Sequence, residues 1–359
     1  MFSLAKLLIK LVLYVAGAAI VVFGGLLAYS TITDYKPEAS EKLGIEGKGA
    51  QIGADSTYTF LIWNVGYCGL GKEMDFFNDG GESVRADKGL SDKYLAGVTG
   101  YLSGCDTIDF IMLQEVDKDS KRSYNVDQED RFSAALPNYT HSFALNYNCK
   151  FVPVPFKLNY QPYGKTYGGL VSYSKYTPLS STRYQYPGGF SWPTNLYMLD
   201  RCMQVLTYKL PNGKELLVIN THNTAYDETG EIKKTEMEFL KKFLEGESAK
   251  GNYVVIGGDW NQAPPGIDAL KFNKNIAPGY TIQSIEANLI PEGWNVAYDP
   301  TKPTNRANKT AYVPGETFTT LIDFYLTSAN LKVLDVHTVD LGFANSDHQP
   351  VYLKVKLKK

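Results

Sequence analysis

YVVIGGDWN, residues 253–261, reads as a buried strand that stops abruptly at polar residues: an apolar run, two glycines, then Asp259, Trp260 and Asn261. A short apolar run bounded by turn-forming residues is the pattern of a strand covered on both faces. Five other segments repeat it. FLIWN (60–64) ends at Asn64, DFIMLQE (109–115) at Gln114 and Glu115, and LLVINTHN (216–223) at His222 and Asn223. LIDFYLTS (321–328) carries Asp323 inside a strand-like run, and SDHQPVYLKVKL (346–357) sets Asp347 and His348 just before the last strand. A buried carboxylate or imidazole is costly unless it is paired or bound to a metal, so these placements need a common cause. Convergence at one edge of a sheet supplies it.

Between the strands, Glu231 to Leu244 shows Ile232, Met237, Phe239, Leu240, Phe243 and Leu244 on one face, with lysines and glutamates on the other, which predicts an amphipathic helix. A second helix is expected over Ser91–Leu102. Strands alternating with helices indicate a layered α/β domain. The stretches Asn146–Thr166, Tyr186–Leu199 and Pro264–Phe318 are expected as long surface loops.

Composition narrows the function. The 359 residues are 44% hydrophobic, which excludes a disordered or fibrous chain, and 36 Lys and Arg against 38 Asp and Glu exclude a global positive field that would recruit nucleic acid. Cys68, Cys105, Cys149 and Cys202 are widely spaced without a C-x-x-C pair, so no structural zinc site is expected. They read mainly as small buried side chains.

From Leu11 to Tyr29 the chain carries about 19 uncharged residues, enough as a helix to span roughly 28 Å of hydrocarbon. Lys6 and Lys10 precede this run, while Asp34, Lys36 and Glu38 follow. The positive-inside bias therefore places residues 1–10 in the cytoplasm, a single-pass signal anchor at 11–29, and the rest outside the cytoplasm. A cleavable signal peptide is the competing reading, with a shorter apolar core. Residues 30–56 are expected to be a linker and 57–359 the folded domain.

The chemistry of the strand ends is that of phosphoester hydrolysis. Asn64 and Glu115 offer hard oxygens suited to Mg²⁺, Mn²⁺ or Ca²⁺. Asp259 and Asn261 can aim an acceptor and a donor at one water. His348 suits proton transfer near neutral pH, with Asp323 to fix its tautomer. His222 can donate to a phosphate oxygen or to a leaving group, Arg201 can grip phosphate with two parallel hydrogen bonds, and Asn223 is a further substrate-binding candidate. His141 and His337 lack such surroundings and read as structural.

These motifs together resemble the endonuclease/exonuclease/phosphatase superfamily, which includes deoxyribonuclease I, apurinic endonucleases, neutral sphingomyelinases and inositol-polyphosphate phosphatases. WN at 63–64, QE at 114–115, TH at 221–222, GDWN at 258–261, ID at 322–323 and SDH at 346–348 stand in the family's order, over residues 57–357. YGGLVSYSKY (167–176) is similar to the family's Gly-rich strand, with Ser174-Lys175 where Ser-Arg is common. The resemblance implies a four-layered α/β sandwich of two packed mixed sheets flanked by helices. It also implies metal at Asn64 and Glu115 with help from Asp347, orientation of the nucleophile by Asp259 and Asn261, a base dyad of Asp323 and His348, and in His222 the second histidine of the deoxyribonuclease and sphingomyelinase branches.

Three functions compete at this level. The first is a membrane-anchored, divalent-metal-dependent phosphodiesterase or phosphatase acting on phospholipid headgroups or other external phosphoesters. The second is an extracytoplasmic nuclease, with nucleic acid as substrate, and the third a binding module without catalysis. The intact polar cluster argues against the third, and motif loops poor in Lys and Arg argue against duplex binding. The expected partners are a phosphoester substrate and a membrane; no obligate protein partner is evident.

Overall fold

In the computed structural model, described over residues 2–53, 57–154, 162–268, 271–273 and 283–358, the strands expected from the apolar runs form two mixed sheets packed face to face. In chain order the strands are β1 (Ser40–Lys42), β2 (Thr57–Asn64), β3 (Phe110–Asp117), β4 (Thr140–Val152), β5 (Gly164–Ser174), β6 (Ser180–Gln185), β7 (Cys202–Lys209) and β8 (Glu215–His222). They continue with β9 (Tyr253–Asp259), β10 (Asn295–Ala297), β11 (Asn305–Arg306), β12 (Thr319–Thr320), β13 (Asp323–Thr327), β14 (Leu331–Thr338) and β15 (Val351–Leu357). One sheet runs β1-β6-β7-β8-β9-β13-β10 and the other β14-β15-β2-β3-β5-β4, with β11 and β12 pairing separately. The helices are α1 (Phe2–Ile32), α2 (Lys88–Ser103), α3 (Gln128–Ala135) and α4 (Glu231–Ala249).

Side-chain alternation along the strands generates the layers. On β2, Phe60 and Ile62 point between the sheets, where they meet Met112, Leu206, Val218, Val255 and Tyr325. Leu61 and Trp63 point the other way, onto Tyr94, Val98 and Leu102 of α2 and Phe132 of α3. On β9, Val255 faces the partner sheet, while Val254 and Ile256 pack under Met237, Leu240 and Leu244 of α4. The result is the four-layered sandwich, helix, sheet, sheet, helix. Because both faces of β2 and β9 are covered, those strands read as unbroken apolar runs.

Local chemistry sets the helix boundaries. Asp87 caps α2 by accepting from Leu90 N–H at 2.8 Å, and Asp127 caps α3 by accepting from Asp130 N–H at 3.0 Å. The α4 entry is held by Asp227, whose carboxylate accepts from the N–H groups of Gly230, Ile232 and Lys233. All four cysteines are buried and free.

Two expectations change. Within the span 30–56, expected as a linker, β1 pairs antiparallel with β6, Glu46 bridges to His141, and Ala50 to Tyr176, so this part of the segment is laid against the sandwich. Its Gly- and Lys-rich composition hides an edge strand because three residues are too few to show a period. The stretch 146–166, expected as a loop, instead holds the end of β4 and the start of β5; residues 155–161 lie outside the described residues.

The helix α1 carries the apolar segment Leu4–Ile32, in which an 18-residue window reaches a mean hydropathy of 2.4, and its large side chains, such as Leu13 and Phe23, are exposed. It is long and apolar enough to cross a membrane.

Candidate active site

Register places the central residues. His222 closes β8 opposite Asp259, which closes β9, and Asp259 lies opposite Asp323, which opens β13. Three chemically active side chains thus stand side by side at one edge of one sheet. Gly258 makes the spacing possible: at φ +151 it sits where an added Cβ would lie 1.9 Å from Thr221 O, so no side chain fits between β9 and β8. From the other sheet, Asn64 at the end of β2 pairs with Gln114 on β3 and brings Glu115 alongside, at φ +56. Left-handed backbone at a glutamate is uncommon, and here a register shift between Leu113 and Val116 accompanies it.

The side chains meet over the seam of the two sheets. Asn64 Nδ2 donates to Asp259 Oδ2 at 3.0 Å and to Glu115 Oε1 at 3.2 Å, while its Oδ1 accepts from Gly66 N–H. His222 Nε2 lies 3.5 Å from Asp259 Oδ2 and 3.8 Å from Glu115 Oε1. His348 Nδ1 lies 2.9 Å from Asp323 Oδ2, and its Nε2 lies 3.7 Å from Asp259 Oδ2. Asn261, at φ +49, donates its backbone N–H back to Asp259 Oδ1 and its Nδ2 to Asn223 O. Asp347 is held by Asn308 Nδ2 at 2.7 Å.

The electrostatics separate the two histidines. Burial opposes a charged His348, but the carboxylates of Asp323 and Asp259 outweigh it and hold the imidazole well above its usual range. Burial, with the positive Arg201, His348 and Arg122 around it, pushes His222 well below that range. His222 is therefore a neutral hydrogen-bonding group, and its Nδ1 is buried without a partner among the described residues. Burial also raises Glu115, with Asp347 adding to the rise and Arg122 opposing it.

A hard divalent cation fits this donor set. Glu115 and Asp347 repel one another in a buried place, and a doubly charged ion relieves that repulsion. Asn64 presents its amide nitrogen to the carboxylates, so to serve as an oxygen ligand its amide must turn over. Asp259, Asp323 and His348 form a second potential metal-binding group, but the His348–Asp323 hydrogen bonds already engage that pair.

Two sequence candidates lie elsewhere. Asn223 is not in the cleft: its side chain accepts from Thr221 Oγ1 at 2.6 Å and faces Met237 beneath the strand end, and only its carbonyl serves the site, through Asn261. Arg201 stands beside the row of strand ends, before Cys202, the cross-strand partner of His222.

Several contributors escaped the sequence reading. Asn305 Nδ2 lies 3.0 Å from His348 Nε2, and Thr304 Oγ1 accepts from Asp323 N–H. Asn308 links Asp347 to Asp79, which Tyr226 also reaches. Arg122 is buried under the Tyr67 ring at 3.8 Å, donates two hydrogen bonds to Asp117 and a third to Tyr163. Asn305 and Asn308 sit in a stretch without periodicity, and an arginine between two lysine- and serine-rich turns carries no local mark of burial.

A model of the Endonuclease/Exonuclease/phosphatase family matches residues 61–348. No curated protein matches the chain. Among solved structures, an endonuclease/exonuclease/phosphatase from Beutenbergia cavernae DSM 12333 superposes with a TM-score of 0.58 at 14% identity, covering 84% of this chain and 72% of that one. ANGEL2, a 2',3'-cyclic phosphatase bound to adenosine-2',3'-vanadate, gives 0.53 at 16% identity, with 89% and 99% covered. TDP2 from D. rerio, complexed with single-strand DNA product, gives 0.53 at 14% identity, with 84% and 100% covered.

Proposed function

The chain belongs to the endonuclease/exonuclease/phosphatase family, and on that premise we propose that it is a divalent-metal-dependent phosphodiesterase anchored in a membrane by α1, with its catalytic domain outside the cytoplasm. The observation that carries the reading is the in-register row His222–Asp259–Asp323, joined by His348 and faced by Glu115.

In this reading His348 is the base. Acting as base requires the neutral imidazole, which the carboxylates of Asp323 and Asp259 disfavour near neutral pH. In that form, with its N–H at Nδ1 held by Asp323, Nε2 presents a lone pair beside Asp259, where Asn305 Nδ2 stands at 3.0 Å. A water there gives its proton to Nε2 as its oxygen bonds to phosphorus, and the resulting imidazolium is stabilised by Asp323. Asp259 and Asn261 orient that water. One P–O ester bond breaks, and the departing oxygen takes a proton from solvent, to which the His348 imidazolium afterwards returns the one it accepted. His222, neutral and buried, donates a hydrogen bond to the phosphate or to the departing oxygen. Glu115 and Asp347, with Asn64, would hold Mg²⁺ or a similar cation, which would supply Lewis-acid polarisation of a phosphoryl oxygen.

The test is phosphate-ester release by the purified full-length protein from lipid, sugar-phosphate, aryl diester and single-stranded DNA substrates, in Mg²⁺ and in EDTA. Mg²⁺-dependent turnover that disappears in His348→Ala is expected. Turnover undiminished by EDTA contradicts the metal, and turnover confined to DNA replaces the lipid or small-ester reading with a nuclease. For the topology, protease added outside intact cells or spheroplasts is expected to remove the catalytic domain while a reporter at Met1 stays protected.

A further inference from the structure

The row of strand ends does not stop at His222. One strand further along the same sheet edge comes Arg201, directly before β7, and beyond it Gln185 and Tyr186 at the end of β6. Here the surface opens into a cleft of about 180 Å³, lined among others by Asp34, Tyr186, Phe190, Asp200, Arg201 and Glu236. Arg201 is only 8% exposed, yet its Nη1 is buried without a hydrogen-bond partner among the described residues. A buried guanidinium N–H left without an acceptor is expensive, and an anion in the cleft would satisfy it.

The cleft also holds two carboxylates, Asp34 and Asp200, and the aromatic face of Phe190. Burial raises Asp200 to about 7, with the charge of Arg183 opposing the rise and that of Asp34 adding to it, so a cation beside the pair favours its ionised form. Glu236 is engaged, accepting from Thr224 N–H at 3.0 Å and from its hydroxyl. A ligand that neutralises both kinds of charge carries a negative group beside a positive one.

The position of the cleft says where such a ligand comes from. Asp34 lies two residues beyond the end of α1. The loop that supplies Phe190 is tied to the last turn of that helix, because Trp192 Nε1 donates to Thr31 Oγ1 at 3.2 Å and Tyr197 OH to Ser30 Oγ at 3.4 Å. Trp192 itself is 59% exposed, as an aromatic ring at a bilayer interface is. The cleft therefore lies beside the C-terminal end of α1, which in the anchored reading is where the helix would leave the membrane.

We propose, resting on the anchored phosphodiesterase reading, that this cleft is a headgroup subsite that takes a zwitterionic phospholipid from the same bilayer, its phosphate between Arg201 and the catalytic row and its cationic group against Asp34, Asp200 and Phe190. The tether then serves to present substrate as well as to localise the domain.

The test reconstitutes the full-length protein into vesicles of dioleoyl phosphatidylcholine or of dioleoyl phosphatidylglycerol, and in parallel offers soluble glycerophosphocholine and an aryl phosphodiester, all with Mg²⁺. Phosphatidylcholine is expected to turn over about tenfold or more faster than phosphatidylglycerol, and vesicle lipid faster than glycerophosphocholine. Asp34→Asn with Asp200→Asn is expected to bring the choline-to-glycerol ratio close to one, and Phe190→Ala, which leaves the charges in place, to lower it part of the way. Retained circular dichroism shows that the variants fold. Phosphatidylglycerol turned over as fast as phosphatidylcholine, or a ratio unmoved by the paired substitution, overturns the subsite while aryl diester turnover keeps the phosphodiesterase reading standing. Glycerophosphocholine turned over as fast as the vesicles overturns the membrane source. Loss of turnover on every substrate by the wild type overturns both readings.

Discussion

His348 Nδ1 lies within 3.1 Å of both carboxylate oxygens of Asp323, although the two residues come from different elements, Asp323 opening β13 and His348 preceding β15. Asp323 is 1% exposed, so the charge that holds the imidazole acts in a weakly screened place. Asp323→Asn keeps the shape but removes the charge that stabilises the imidazolium. We expect kcat to fall by about 10²–10⁴-fold. Calorimetric Mg²⁺ binding measured on the same preparation separates this effect from loss of the metal: lost Mg²⁺ affinity in the variant would reassign Asp323 to the metal site.

Gly258 lies against β8 and tolerates no Cβ, which would fall 1.9 Å from Thr221 O. Gly258→Ala must push β8 and β9 apart at the Thr221–Gly258 pair, next to the pair that carries His222 and Asp259. A destabilisation of about 3 kcal/mol or more is expected, read as a lowered midpoint in chemical denaturation. A midpoint equal to the wild type's would show that the strand ends yield.

Arg122 and Asp117 form a buried ion pair with both hydrogen bonds near 2.9 Å, and Arg122 also lies under Tyr67. Arg122→Met leaves Asp117 a buried charge without its cationic partner, with Ser123 Oγ still donating to it, which costs about 3–5 kcal/mol. The double variant Arg122→Met with Asp117→Leu is expected to recover part of that loss. No recovery in the double-variant cycle would mean that Arg122 stabilises mainly through its tyrosines.

Burial raises Glu236 to about 7, with hydrogen bonds from Thr224 and the charge of Arg201 opposing the rise. In the folded chain Glu236 thus keeps a proton that the unfolded chain gives up near pH 4.5, so wild-type stability falls as pH rises from there to about 7. Glu236→Gln does not titrate. Its stability relative to the wild type is expected to improve by about 3 kcal/mol between pH 4.5 and 7.5, measured by denaturation at each pH. A difference that is flat across this range would mean that Glu236 is ionised throughout.

Much of the architecture was legible because burial leaves a periodic trace. The unbroken runs that became β2, β3, β8 and β9 announced strands covered on both faces, and the spacing of Met237, Leu240 and Leu244 announced α4. The polar residues that end those runs pointed to Glu115, His222, Asp259, Asp323 and His348, which the fold brings together at one sheet edge. The apolar run that became α1 was equally plain.

Tertiary structure alone decided which of these groups touch. The contact of Asn64 with Asp259 joins residues 195 positions apart, and the hydrogen bond from Arg306 to Gly71 joins residues 235 apart, separations over which a sequence carries no phase. Asn305 beside His348 and Asn308 beside Asp347 rise from an aperiodic stretch, and β1 is too short to show alternation. Arg201 and Asp34 share one cleft for the same reason: a strand edge and a helix exit are brought together by the order of the strands in the sheet, which is a property of long-range pairing. Local patterning determines what each segment buries, and only packing determines what it is buried against.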